Sequence, residues 1–194
     1  MAMAADEYRS MVRALTATIV AVSLWTGGLA IAPAALAASQ GAIGAASSGT
    51  LAIAASVPPR ARLSGLNNVS FTNVNPANNA RNAQSVCAWS NTATKGYRIT
   101  ASGSGAGNAF TLSAGALSVP YTVQWNGAAG RTSGTALTAG ALSASFVSSA
   151  THQQCLTGPS ASASLIIGIA AANLQTMQAA TAYTGTLTLL MTPQ

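Results

Sequence analysis

No acidic residue follows Glu7 in this chain of 194 residues, and Asp6 and Glu7 are the only two acids in the sequence. Charged residues make up 5% of the composition, whereas soluble globular proteins typically carry about 25%. This excludes both a chain kept disordered by its own charge and a helical surface covered with ion pairs. The polar residues are instead Ser, Thr, Asn and Gln, which suit the wet face of antiparallel strands. The composition therefore predicts an all-β fold, and the length fits one domain of ordinary size.

The lack of carboxylates also restricts the chemistry that the chain can perform. Carboxylates are the usual general acids and bases, the usual ligands of Ca²⁺ and Mg²⁺, and the usual partners of a catalytic histidine. The single histidine, His152, lies in a Thr-His-Gln-Gln sequence, and no Gly-x-Ser-x-Gly motif accompanies it. We therefore predict that the protein is not an enzyme, and that it has no catalytic residue, no metal site and no cofactor.

Six cations follow the predicted leader, and they are scattered along the sequence: Arg60, Arg62, Arg81, Lys95, Arg98 and Arg131. Only Arg60 and Arg62 are adjacent. A nucleic-acid-binding protein is expected to cluster its cations and to interleave them with aromatic residues, so no nucleic-acid partner is predicted. The aromatic residues of the predicted strands suit either a hydrophobic core or a sugar-binding face, and their alternation favours the core; they are Trp89, Tyr97, Tyr121 and Trp125.

Residues 1–37 have the features of a secretory signal peptide with an upstream extension. Arg13 provides the positive region, residues 14–32 are apolar and uncharged, and Ala35-Leu36-Ala37 supplies the small residues of a cleavage site. Met11 is a candidate for the true start. The apolar run approaches the length of about 20 residues that spans a bilayer, so an uncleaved anchor is the alternative. The signal predicts export, with membrane contact only during export.

The two cysteines, Cys87 and Cys155, fit an exported protein in an oxidising compartment. Only one pairing is possible, and it would close a long loop. Two free buried thiols or two metal ligands are the alternatives. A metal site would need more donors than His152 supplies, so a disulfide is the favoured interpretation.

Short runs of alternating apolar residues, separated by turn signals, predict a β-sandwich or barrel in the mature chain. The predicted domains are an N-terminal segment at residues 38–57 and a sandwich domain at residues 58–194. Pro58-Pro59 separates them, because proline cannot continue a β-ladder. The predicted strands comprise residues 50–57, 69–71, 86–89, 97–101, 110–112, 119–125, 135–137, 142–147, 163–170 and 182–192.

The last predicted strand has the clearest alternation, with Tyr183, Leu187, Leu189 and Met191 on one face. No residue after Gln194 is available in the sequence to cover its edge. Exposed apolar edge strands promote aggregation, so we expect another strand to cover it. The segment at residues 50–57 is a candidate because Leu51, Ile53, Ala55 and Val57 also alternate. The alternative is that this segment forms the first strand of its own domain.

Three parts of the sequence resemble the spore coat protein U domain family, whose members are subunits of archaic chaperone–usher pili. Residues 49–57 resemble its alternating N-terminal segment. Val86-Cys87 with Tyr97-Arg98-Ile99-Thr100 resembles its central cysteine strand, and residues 163–169 through 183–189 resemble its closing pair. The family usually has a first cysteine where this chain has Pro58-Pro59-Arg60, so Cys87 would pair here with Cys155.

This resemblance implies an incomplete immunoglobulin-like β-sandwich that lacks its final strand and is completed by a donor strand. It implies a fimbrial subunit, secreted through the periplasm to the cell surface and supporting adhesion or biofilm formation. The partners would be a periplasmic chaperone, an outer-membrane usher, and identical or related pilin subunits. The donor residues would be Leu51, Ile53, Ala55 and Val57, and the groove edge would comprise Tyr183, Leu187, Leu189 and Met191. The alternative is a secreted monomeric β-sandwich module that binds carbohydrate or surface ligands.

Overall fold

The computed structural model describes residues 38–194, and the predicted signal peptide lies outside the described residues. The chain divides into two units, Met1–Ala55 and Ser56–Gln194. In the first unit, Ser39 and Thr50 form an antiparallel bridge with backbone hydrogen bonds of 2.9 and 3.0 Å. Residues 51–55 form no strand, and their side chains are exposed. The predicted domain limits at residues 37 and 57 stay predictions.

The second unit consists almost entirely of β-strands joined by turns. Its short helical segments are a 3₁₀ turn at Ala106–Asn108 and the four-residue helix α1 at Ala171–Leu174. The strands are β1 (Ala61–Ser64), β2 (Ala80–Ser90), β3 (Gly96–Gly103), β4 (Thr111–Ala114), β5 (Leu117–Pro120), β6 (Thr122–Asn126), β7 (Thr135–Ala136), β8 (Phe146–Val147), β9 (Ala163–Ile169) and β10 (Leu187–Pro193).

The strands form two main antiparallel sheets and a small ribbon. The first sheet has the order β1-β2-β9-β6-β7, the second has the order β10-β3-β8, and β4 pairs with β5. The register places Val86 opposite Ala163 in the first sheet and Met191 opposite Ile99 in the second. The composition-based prediction of an all-β fold is confirmed.

The hydrophobic core lies between the two main sheets. Inward side chains of β2, β6 and β9 in the first sheet join those of β3 in the second sheet in one cluster. Trp125 on β6 and Tyr97 on β3 are both completely buried there, with ring centroids 6.3 Å apart in an edge-to-face arrangement. This packing of inward faces from two antiparallel sheets is a β-sandwich.

Some predicted strands differ from the observed ones. Residues 119–125 were expected to form one strand, but the chain changes sheets at Tyr121, so that β5 belongs to the ribbon and β6 to the first sheet. Pro120 explains the break, because it has no N–H to continue a ladder. Residues 69–71 lie in the loop between β1 and β2, where Phe71 packs against the core without being part of a strand.

The observed strands at both ends of the sandwich also begin later than the predicted ones. The first strand is β1, downstream of Pro58-Pro59, and residues 51–60 form no strand. The interpretation in which residues 50–57 supply the first strand of the sandwich is therefore wrong. The last strand begins only at Leu187, because Thr184 is bonded to Ser113 in a bridge to β4. Among residues 38–194, we find no helix with the length and apolar character needed to cross a membrane.

Candidate functional site

The two sheets leave an open edge between β1 and β10. β10 pairs along its whole length with β3, from Leu187 opposite Gly103 to Pro193 opposite Tyr97. Within residues 38–194, no strand pairs with the other side of β10, and β1 is likewise paired only with β2. β1 and β10 approach each other at this side of the sandwich. We call this side the open edge, formed by Ala61–Ser64 and Leu187–Pro193.

The strand order identifies which strand position is vacant. Immunoglobulin constant-type sandwiches pair strands A-B-E-D in one sheet and C-F-G in the other. Here β1-β2-β9-β6 has the order of A-B-E-D, and β3 paired with β10 has the order of C-F. Strand G would lie on the outer side of β10, and none of the described residues occupies that position. The sandwich is therefore immunoglobulin-like and lacks its final strand among the described residues.

The core is less completely buried at the open edge than elsewhere. Along β10, half-buried and exposed residues alternate, with Leu187, Leu189 and Met191 half-buried against the core. On β3, the neighbouring strand, the inward Ile99 and Ala101 are completely buried. Apolar surface on β10 therefore stays in contact with water. Covering the remainder would stabilise the fold by about 1 kcal/mol for each side chain.

Further half-buried apolar residues adjoin the same core. Leu63 comes from β1, Phe71 and Val74 come from the loop that follows β1, and Tyr183 precedes β10. Tyr183 does not lie on β10, although the sequence predicted it on the same strand as the other groove residues; its hydroxyl accepts a hydrogen bond from the backbone N–H of Gln178. The assignment of these residues to an acceptor groove stays a prediction.

The predicted donor segment contains large apolar side chains that are exposed at every second position. Leu51 is 69% exposed, Ile53 is 88% exposed and Val57 is 75% exposed, while Ala55 between them is also exposed. Exposure of this size is unusual for the three large members of one apolar stripe, because such side chains are normally buried together in a folded protein. Residues 51–57 therefore form no strand, and their large apolar side chains are exposed.

The start of the sandwich is held by Asn91, which follows β2. Its Nδ2 donates a hydrogen bond of 3.0 Å to the carbonyl oxygen of Pro58, and its Oδ1 accepts one from the backbone N–H of Arg60. β10 ends at the same end of the sandwich, where the Gln194 N–H donates to the carbonyl of Gly96 at 2.9 Å. The chain therefore enters the sandwich next to the point where the open edge finishes.

The disulfide lies on the outer face of the first sheet, away from the open edge residues of β10. Cys87 on β2 is bonded to Cys155, which belongs to the loop between β8 and β9. Ala150 and Trp89 pack around the two sulfurs in a small separate cluster. This bond attaches the loop to β2 and leaves no free cysteine among the described residues.

The polar side chains of His152, Tyr97 and Trp125 form hydrogen bonds within the domain. The Nδ1 of His152 accepts a hydrogen bond from the backbone N–H of Gln154 in an exposed turn, and no serine hydroxyl of residues 38–194 bonds to this imidazole. The Trp125 Nε1 donates to the Tyr97 hydroxyl at 3.1 Å inside the core. Burial raises the pKa of Tyr97, and its hydrogen bond with Trp125 opposes that rise in part. Burial also raises the pKa of Tyr121.

The four aromatic residues that the sequence singled out divide into two groups. Tyr97, Tyr121 and Trp125 lie in the core, as the alternation predicts. Trp89 lies on the opposite face of β2, half-buried beside the disulfide. The sequence did not identify it separately, although Cys87 and Trp89 share one face of the strand while Val86 and Ala88 share the other.

No family model matches the chain, and no curated protein matches it. A solved structure described as a chaperone–tip adhesin complex of CFA/I fimbriae biogenesis is similar over 70% of this chain and 41% of the other, with 14% identity and a TM-score of 0.45. The aligned region is thus about two fifths of the length of that chain.

Proposed function

We propose that this protein is a structural subunit of a secreted surface fibre, assembled by donor-strand exchange. The observation that carries the proposal is the open edge, where β10 has an unpaired side and half-buried Leu187, Leu189 and Met191. A strand added there would pair with the main chain of β10 and insert alternate side chains into the core. Main-chain pairing supplies affinity in this mode of recognition, and the alternate side chains supply register.

The donor in the fibre is the N-terminal segment of another copy or a related subunit. Leu51, Ile53, Ala55 and Val57 repeat at the period of a strand, so that all four insert on one face. Their exposure and the absence of a strand at residues 51–60 support this role. Since the donor and the acceptor are different surfaces of one subunit, their contact is head-to-tail and extends into a filament.

The remaining parts of the proposal follow from this assembly. The signal at residues 1–37 directs export through the periplasm, with membrane contact only during export. A periplasmic chaperone covers the open edge until an outer-membrane usher places the next donor. The protein performs no catalysis, and the finished fibre is a fimbrium on the cell surface that supports adhesion or biofilm formation.

The test is to supply the donor strand within the same chain. A copy of residues 49–57 is added after Gln194 through a flexible linker, and thermal unfolding and size are measured with and without the addition. Filling the open edge is expected to raise the melting temperature and to give a monomer. A stable monomer without the addition, unchanged by it, would contradict the proposal and favour the secreted binding module.

The matched control keeps the length of the appended strand and removes its large apolar side chains. In a second fusion, Leu51, Ile53 and Val57 of the appended copy are replaced by Ser. If main-chain pairing with β10 alone stabilised the fused protein, the Ser strand would stabilise it equally. If insertion of apolar side chains is also needed, the Ser strand stabilises it less. We expect the control fusion to lose most of the stabilisation.

A further inference from the structure

The outer face of β1 and β2 carries an aromatic ring and a cation side by side. The register pairs Arg62 on β1 with Trp89 on β2. Residues directly opposite each other in an antiparallel pair have Cβ atoms about 4.5–5.5 Å apart. Their neighbours Leu63 and Ala88 pack into the core, so the alternation directs Arg62 and Trp89 away from it. The pair therefore lies on the side of β1 that does not face the core.

Within residues 38–194, Trp89 is packed on one side only, and Arg62 forms no hydrogen bond through its side chain. Trp89 packs against the Cys87–Cys155 cluster, which holds the indole in place and leaves it half-buried. Arg62 is exposed. Among residues 38–194, no hydrogen-bond partner engages the Trp89 indole N–H or the Arg62 guanidinium, so both are available to a ligand.

Arg60 adds a second guanidinium to the same surface. It directly precedes β1, and its carbonyl accepts a hydrogen bond of 3.1 Å from the N–H of Asn91, which continues the β1–β2 pairing by one residue. Residues two apart on a strand share a face and lie about 7 Å apart. Arg60 and Arg62 therefore follow one another along the edge beside Trp89, and Asn91 fixes the backbone between them and Pro58.

The charge of the surrounding protein determines what this surface can bind. Residues 38–194 contain six cations and no Asp or Glu, so neither guanidinium has a side-chain carboxylate partner within the domain. A second copy of this domain could not supply one either. A complementary anion would therefore come from a molecule other than this domain, and two guanidiniums about 7 Å apart suit a molecule that carries more than one anionic group.

We propose that Arg60, Arg62 and Trp89 form a binding site for an acidic polysaccharide. The apolar face of a pyranose ring would lie on the half-exposed indole, as aromatic side chains accommodate flat amphipathic groups, and successive anionic groups would bond to the two guanidiniums. Single-stranded nucleic acid fits less well, because its binding proteins stack successive bases on several aromatic residues and this surface has one. Arg62 belongs to β1, which borders the open edge, but its side chain faces away from the core, whereas Leu187, Leu189 and Met191 pack against the core.

The experiment measures binding of the predicted exported chain, residues 38–194, to oligogalacturonate, with dextran as the neutral comparison. Trp89 fluorescence reports the contact, because the buried Trp125 does not reach solvent. We expect oligogalacturonate to shield Trp89 from iodide quenching and to bind more weakly as salt rises, since screening weakens contacts between exposed charges. Dextran is expected to have no effect.

Matched variants distinguish this site from the general positive charge. Arg62→Gln and Arg131→Gln remove the same charge, but Arg131 is exposed in the loop between β6 and β7, outside the proposed site. We expect the dissociation constant to rise about tenfold or more in Arg62→Gln, as expected for a lost charged hydrogen bond, and to stay within about twofold in Arg131→Gln. Trp89→Leu, which preserves apolar packing at the disulfide, should weaken binding to a similar extent as Arg62→Gln. Because this variant lacks the reporting indole, titration calorimetry measures the dissociation constant of every variant.

Three results would overturn the proposal. Equal losses in Arg62→Gln and Arg131→Gln would show that net charge alone attracts the polymer. Unchanged binding in Arg62→Gln and Trp89→Leu, each verified as folded by its circular dichroism spectrum, would place the contact elsewhere. Tighter binding of oligothymidylate than of oligogalacturonate at equal salt would assign the surface to nucleic acid.

Discussion

Trp125 Nε1 donates a hydrogen bond of 3.1 Å to the Tyr97 hydroxyl, which joins β6 in one sheet to β3 in the other through the centre of the core. Both side chains are completely buried. A buried donor that loses its acceptor retains its full desolvation cost. This contact therefore links the two sheets through the core, and its loss should lower the free energy of unfolding by a measurable amount.

The first prediction removes the acceptor of this bond. Tyr97→Phe leaves the indole N–H buried without a partner, and we expect the free energy of unfolding to fall by about 1–3 kcal/mol. Urea denaturation of the donor-fused protein measures it. Tyr183→Phe is the matched control, because that hydroxyl belongs to a partly buried residue bonded to a backbone N–H near the surface. An equal loss in both variants would show that the buried hydrogen bond contributes no more to stability than the Tyr183 bond near the surface.

The second prediction concerns alkaline pH. Burial raises the pKa of Tyr97 and Tyr121 above the ordinary value of about 10. Above pH 10 the unfolded chain loses these protons before the folded chain does, so the folded state holds more protons and stability falls as pH rises. Below pH 10 both states are protonated, and these tyrosines add no pH dependence. Unfolding measured from pH 8 to pH 12 should show this loss, and Tyr97→Phe should reduce it.

The third prediction compares two neighbouring residues of β10 that face opposite ways. Leu189 is half-buried against the core, whereas Leu190 is 61% exposed on the outer face. In the donor-fused protein, Leu189→Ala should lower the free energy of unfolding by about 2–4 kcal/mol, and Leu190→Ala should change it by less than about 0.5 kcal/mol. In the unfused protein, Leu189→Ala should lower the free energy of unfolding by less, because no donor strand packs against the Leu189 side chain. Equal costs in the two backgrounds would mean that no strand inserts beside Leu189.

The fourth prediction concerns the disulfide. Cys87 and Cys155 are 68 residues apart in the sequence, and closing such a loop restricts the unfolded chain. We expect Cys87→Ser with Cys155→Ser to reduce stability by about 4 kcal/mol. The loop between β8 and β9 should also become sensitive to protease, because the bond attaches it to β2. A stable double variant with an unchanged digestion pattern would contradict this role.

The fifth prediction concerns the entry of the chain into the sandwich. Asn91→Ala removes both hydrogen bonds to the Pro58–Arg60 segment, and we expect a loss of about 1–2 kcal/mol. Limited proteolysis should cut near residue 60 faster than in the parent protein. Asn68→Ala is the control, because Asn68 is exposed in the loop after β1. If both variants are cut at the same rate, Asn91 does not hold this segment.

The strands with strong alternation were predictable from the sequence, and the exceptions have local causes. Tyr97–Ala101 and Ala163–Ile169 alternate because one face is in the core, and both are strands in the structure. β1 was missed because its sequence Ala-Arg-Leu-Ser has one large apolar residue, so a four-residue pattern gives little signal. Phe71 was assigned to a strand because a loop residue that anchors on the core has the same composition as a strand residue.

The open edge was only partly predictable, since alternation states which residues share a face and not which strand they pair with. The sequence indicated that Leu187, Leu189 and Met191 share a face, and the structure shows that face against the core. It could not indicate that residues 51–60 form no strand, because the alternation of Leu51 and Ile53 suits an internal strand equally well. Pairing depends on contacts between segments far apart in the chain, which local patterns do not contain.

The full-length pairing of β10 with β3 bears on how a fibre of such subunits would respond to tension. If the donor lies along β10, a pull on the fibre is directed along the strands, so the ladder from Leu187–Gly103 to Pro193–Tyr97 is loaded in shear. All its hydrogen bonds then resist together, whereas a pull across the strands would break them one after another. The position of the vacant strand would in this way give the filament its mechanical strength.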